Sequence, residues 1–217
     1  SAAQKAAGAA FKAESAKVRP ELAKLLKHDV WVVRFYAAFA YLGLKDIEAL
    51  PLLAEVAATD SEPRVRQLAL QAIAETPSKF VDDKVSPLLK DPALEIRAYA
   101  AMALARHGNA EAVKTLLDLS QHTDKMVRYT ASWAMGYIGK QATPAVTEAL
   151  STIVANLSER DSNRHEAVAS LGRLVGNSSA FTPKVFADIL SAAGSQEMIV
   201  TRTVLNSFFA KAAKDSA

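Results

Sequence analysis

The sequence predicts an all-α fold, a right-handed α-solenoid of about six helical hairpins, and three observations predict it. The first is a recurring Asp, a short spacer, then an Arg usually preceded by Val or Ile. It reads Asp29-Val-Trp-Val-Val-Arg34, Asp60-Ser-Glu-Pro-Arg-Val-Arg66, Asp91-Pro-Ala-Leu-Glu-Ile-Arg97 and Asp124-Lys-Met-Val-Arg128. A degenerate fifth copy is Asp161-Ser-Asn-Arg164, and a sixth Arg stands at Arg202. Successive arginines lie 32, 31, 31, 36 and 38 residues apart. A fixed period of roughly 20–50 residues means stacked supersecondary units. The second observation is two helically spaced apolar segments in each period, with no sustained period-two alternation of β-branched residues. The third is composition. Half the residues are apolar, only eight are Gly, and 26 basic residues face 23 acidic ones. Closely packed helices have that composition; disordered chains do not.

Residues 1–16 are an Ala/Lys-rich, weakly amphipathic segment, expected as a capping helix because a terminal repeat lacks one neighbour. One repeat domain over 1–217 follows, with units near 17–45, 46–76, 77–108, 109–141, 142–177 and 178–217. The first helix of each unit carries a paired aliphatic step: Leu25-Leu26, Leu52-Leu53, Leu88-Leu89, Leu116-Leu117, Ile153-Val154 and Ile189-Leu190. The second helix is expected to begin at the Arg and is Ala-rich (Ala37-Ala38, Ala69, Ala100-Ala101, Ala131, Ala167). Small residues there let helices approach closely. Thr143-Pro144 and Thr182-Pro183 read as a cap followed by Pro at the first helical position. Gly108, Gly139 and Gly176 fall where second helices should stop. Pro51 and Pro87 predict early starts or kinks. Phe208-Phe209 reads as core of the last unit.

The Asp-to-Arg motif, the Val/Ile-Arg-x-x-Ala start and the 31-residue spacing resemble HEAT repeats, and the short period is similar to the bacterial variety named after phycobilisome lyases. The resemblance implies an inter-repeat polar ladder made by Asp29, Asp60, Asp91 and Asp124 with Arg34, Arg66, Arg97 and Arg128. It implies an interaction scaffold rather than an enzyme. A bilin-lyase-like chromophore chaperone and a HEAT-like DNA glycosylase are the alternatives.

A partner is expected on the concave surface lined by second helices. Positions one, five and nine after each Arg share a helix face, since offsets of four recur there. Five of the chain's 15 aromatic residues fall on these 18 positions, less than a tenth of the chain. Such clustering is the mark of an interface. Tyr129, Trp133 and Tyr137 form its centre, flanked by Met102 and Arg106 on one side and His165 and Arg173 on the other. Phe35 and Phe39 extend it, and Lys211 joins the two arginines as a rim cation for acidic groups. The only acid on these positions is Glu75, about 20 Å from the aromatic centre at about 10 Å per stacked helix. No acid is therefore expected beside the aromatics, which weighs against the glycosylase.

Other chemistries find no support. There is no cysteine, hence no Cys-ligated zinc, disulfide or thiol nucleophile. His28, His107, His122 and His165 form no i,i+3 or i,i+4 pair, so no metal site and no cofactor are expected. Phosphate-loop, dinucleotide and nucleophile-elbow motifs are missing. A net charge of +3 is slight for nucleic acid, and none is expected. No run of 18 apolar residues predicts a membrane span. The expected partner is a protein or peptide, and the chain itself a monomer or weak oligomer. Ser1 in place of Met points to a processed form or an excised piece. A cytoplasmic location is expected, with a periplasmic or secreted mature form also compatible.

Overall fold

The computed structural model describes residues 16–76, 78–80, 82–159, 161–175 and 178–193. Gly176, Arg202, Phe208, Phe209, Lys211 and most of the expected capping segment lie outside them. Every regular element among the described residues is helical. Residues 16–25 form α1. There follow α2 (Trp31–Leu44), α3 (Leu50–Thr59), α4 (Pro63–Glu75), a short α5 (Asp82–Val85), α6 (Leu94–Arg106), α7 (Ala110–Leu119), α8 (Lys125–Gly136), α9 (Pro144–Ala155), α10 (Asp161–Leu174) and α11 (Pro183–Ala193). The chain divides into two compact units, Ser1–Leu88 and Leu89–Ala217.

Helix starts follow local chemistry. Pro63 and Pro144 stand at the first helical position, where the missing N–H costs nothing. Asp124 caps α8 by accepting from the Met126 amide at 2.7 Å, and Asn109 caps α7 through the Ala112 amide at 3.1 Å. Thr143 occupies the cap position of α9 but makes no side-chain cap bond. The second helices begin three residues before their Arg, not at it: Trp31, Pro63, Leu94, Lys125 and Asp161 precede Arg34, Arg66, Arg97, Arg128 and Arg164 by the same step. Each Arg therefore sits at the end of the first turn, where it reaches back over the loop. Gly108 (φ 91°) and Gly139 (φ 62°) follow helix ends in the left-handed region, which a side chain would strain. Pro87 falls in a 3-10 turn, Ser86–Lys90, directly after α5. A Pro inside a helix removes a backbone bond, so the first helix of that unit is broken into two short pieces.

In the first unit α2 and α3 both pack on α4, around Tyr41, Leu50, Leu53, Leu70 and Ile73. The Tyr41 hydroxyl donates to the Arg19 carbonyl at 3.3 Å. In the second unit α6 packs on α7 and α8, α8 on α10, α10 on α9 and α9 on α11. The second helices α6, α8 and α10 thus form one row. Ala100, Ala101, Ala131, Ala134 and Ala167 are fully buried within it. Leu104, Leu116, Met135, Leu150 and Leu171 supply its larger core side chains, each burial worth about 1.5–3 kcal/mol.

The recurring arginines do order the loops, but the expected ladder is incomplete. Arg34 makes a two-pronged bond to Asp60 at 2.8 and 2.9 Å and donates to the carbonyls of His28 and Asp29. Arg128 repeats the arrangement with Glu159 at 2.6 and 2.9 Å and with the carbonyls of His122 and Thr123. Arg97 donates to the Asp91 carbonyl. Arg66 and Arg164 reach the carbonyls of Ala57 and Val154, in the last turns of α3 and α9, where a cation also meets the negative helix end. The side chains of Asp29 and Asp124 are not rungs. Asp29 is exposed and enters through its carbonyl, and Asp124 is spent on its own cap. In the degenerate copy the rung acid is Glu159, not Asp161, whose side chain is 77% exposed. Burial acts to raise the Asp60 carboxyl, but the Arg34 guanidinium and the Glu62 amide outweigh it and hold it below its ordinary value.

Candidate partner-binding face

The row α6–α8–α10 brings a continuous aromatic strip to one face. Tyr99 lies against Trp133 with ring centroids 5.0 Å apart and planes inclined by 47°. Trp133 lies against Tyr137 at 4.7 Å and 45°. All three are half-buried, so part of each side chain remains accessible. The Arg173 guanidinium sits over Tyr137, 4.6 Å from the ring centroid, and pairs with the Glu166 carboxylate. Tyr129 donates to the other Glu166 oxygen at 3.4 Å. Burial, with the Glu166 charge beside it, pushes the Tyr129 phenol up. Arg106 donates to the Tyr137 carbonyl at 2.7 Å.

Ser170 ties the two helices beneath this strip. Its hydroxyl donates to the Ser132 carbonyl at 2.8 Å and receives Arg173 at 2.6 Å. Gly136 is what permits the approach. A Cβ there would meet Ser170 Oγ at 2.5 Å and Arg173 Nε at 2.7 Å.

Of the residues expected on this face, Tyr129, Trp133, Arg106, His165 and Arg173 lie on its helices, Tyr137 directly follows α8, and all retain exposure. Met102 does not belong to it. It is 2% exposed, and Ala98 is fully buried. Nearly the whole circumference of α6 is covered, and the strip left open carries Tyr99, two positions after Arg97 rather than one. Glu166, likewise two after its Arg, is the second residue the one-five-nine count misses. An acid therefore does stand beside the aromatics, which corrects the expectation that none would. The signal was available: offsets of two and five are separated by three residues and also share a helix face.

Phe35 and Phe39 belong to the other unit. Phe35 is half-buried and meets Trp31 and Tyr36 edge-on at 6.4 and 5.6 Å. Phe39 is 57% exposed. Arg64 covers Trp31 at 5.2 Å. Glu75, in the same unit, pairs with Lys45 at 3.1 Å.

A groove of about 820 Å³ also runs along α7 and α9. Its charged walls are satisfied within the chain, Arg128 by Glu159 and Lys184 by Asp188. No group of three or more His, Asp or Glu among the described residues is placed to hold a metal ion. None of the helices built from the described residues is long and apolar enough to cross a membrane.

Comparison with known proteins agrees with this architecture. The model of HEAT repeats matches residues 1–74 and 83–172. No curated protein matches the chain significantly. Among solved structures, an engineered protein shares 18% identity over 87% of this chain and 93% of its own, with a TM-score of 0.51. Human deoxyhypusine hydroxylase in complex with glycerol shares 18% over 86% of this chain and 83% of its own, with a TM-score of 0.42. At such identity the likeness to the engineered protein concerns fold alone. The matched segments cover most of the chain, and the helix pairs, loop arginines and Ala-rich second helices are what those repeats require: the chain belongs to the HEAT-repeat family.

Proposed function

We propose that this HEAT-repeat chain is a protein-binding scaffold that docks a peptide or helix of a partner on the α6–α8–α10 face. The observation that carries the reading is the Tyr99–Trp133–Tyr137 strip. Three rings kept half-open in one row supply large, rigid contact area at low entropic cost. The test is to capture the partner from native lysate, identify its binding segment, and titrate that segment against wild type and Trp133→Ala. A loss of about 2 kcal/mol, roughly 30-fold in Kd, is expected. Unchanged affinity would overturn the reading. Because Trp133 also packs between two rings, the variant is to be compared at a temperature where both chains are folded.

A second reading, enzymatic excision of a flipped base, has one observation in its favour: the Glu166 carboxylate beside the aromatics. The same carboxylate is tied to Arg173 and Tyr129, so it is not a free base. Incubation with alkylated DNA should release nothing. Release that disappears in Glu166→Gln would favour the enzyme.

A further inference from the structure

The chemistry of the aromatic strip points to the kind of side chain it takes, an inference that rests on the docking face proposed above. Its two cations are already committed, Arg106 to the Tyr137 carbonyl and Arg173 to Glu166. In the free chain neither is left over for an acidic group. One acid near the strip is less committed. Glu95, one turn before Tyr99 on α6 and half-buried, has no ion-pair partner among the described residues. The rings are inclined to one another by 45–47°, so their faces form angled walls. Angled aromatic walls next to a carboxylate attract a cation, Trp giving the strongest face. The chain itself demonstrates the preference, because the Arg173 guanidinium lies on Tyr137 and against Glu166.

We propose that Tyr99, Trp133, Tyr137 and Glu166 form a seat for an arginine side chain of the partner, and that Arg173 fills its Tyr137 end in the free chain. Arg173 is exposed and lies in the last turn of α10. Swung outward it keeps its favourable position at the negative helix end, so it can yield the seat without loss of the helix. The partner is then a basic segment, and the internal guanidinium competes with it.

The experiment uses the full chain with Trp31→Phe, leaving Trp133 as the only tryptophan. Capped pentapeptides Gly-Ser-X-Ser-Gly, with X as arginine, citrulline or glutamate, are titrated while Trp133 fluorescence is read. Arg173→Gln, which vacates the seat, should bind the arginine peptide about five- to tenfold tighter than wild type. Adding Glu166→Gln should cancel the gain, Arg173→Lys should behave as wild type, and the citrulline peptide should show no gain. In the chain with native Arg173, the Trp133 indole resonance should shift with the arginine peptide and not with citrulline, a reading that needs no change at the seat. Preference for the glutamate peptide, or equal arginine affinity in folded Arg173→Gln and wild type, would overturn the proposal. Either result leaves the docking face to be judged separately by Trp133→Ala.

Discussion

Replacing Asn163 by Val should stabilise this protein. Asn163 is 1% exposed, and among the described residues neither its amide nitrogen nor its amide oxygen has a hydrogen-bond partner. It stands immediately before Arg164, where the other copies place Val33, Val65, Ile96 and Val127. Val65, Ile96 and Val127 are buried to 3% exposure or less, so the position belongs to the core of each repeat. A buried polar group without a partner costs about 1–3 kcal/mol. Val has nearly the volume of Asn and a comparable helix propensity, so the exchange removes that cost without opening a cavity. We expect a gain of about 2 kcal/mol. For a chain of this size that is about 4–8 °C in Tm, and in urea a higher midpoint with unchanged slope. Because repeat arrays can unfold piecewise, hydrogen exchange of the α9 and α10 amides should slow alongside. Asn163→Asp should do the reverse, since an ionised carboxylate would be buried there. A midpoint that falls in the Asn163→Val chain would refute the reasoning and mean that the amide is satisfied, by ordered water or by a bound group.

Two further outcomes follow from the polar frame and the close helix approach. Asp60 has a depressed pKa in the folded chain, so its contribution is complete above the unfolded value of about 3.9 and is lost as pH falls through the lower folded value. The stability difference between wild type and Asp60→Asn should therefore hold steady down to about pH 5 and shrink below about pH 4; a difference flat to about pH 2 would show that the Arg34 pair is not linked to folding. Gly136→Ala would bring a methyl within 2.5 Å of Ser170 Oγ. It should cost about 1–2 kcal/mol net of the better helix propensity of Ala and displace Arg173 from Tyr137. Thermal unfolding checks the first effect and the tyrosine resonances the second.

Much of the fold was legible because a repeat states its own alignment. Once the five arginines are superposed, the Ala-rich second helices, the Gly-terminated ends and the odd Asn163 can be seen by comparison within one chain. That Trp133 and Tyr137 share a face was legible for the same reason, since offsets of four on a helix are fixed by its pitch. Which side of each helix stays open was not. The single Arg-based register assigned Met102 to the open face and passed over Tyr99 and Glu166. A helix buried on one stripe and a helix buried nearly all round have different open strips, and α6 is of the second kind.

By itself, then, the sequence determined the helical repeat, its period and the shared face of Trp133 and Tyr137, all of which follow from spacing along one chain. Only the tertiary structure decided which charges meet. Arg128 pairs with Glu159 rather than with an Asp of the motif, Asp124 is taken by its own helix cap, and Arg173 closes over Tyr137 against Glu166. A long flexible guanidinium can reach several acids lying within a few ångströms of its path. The choice among them depends on how closely two helices approach, and at α8 and α10 that approach is set by the bare Cα of Gly136 resting against Ser170.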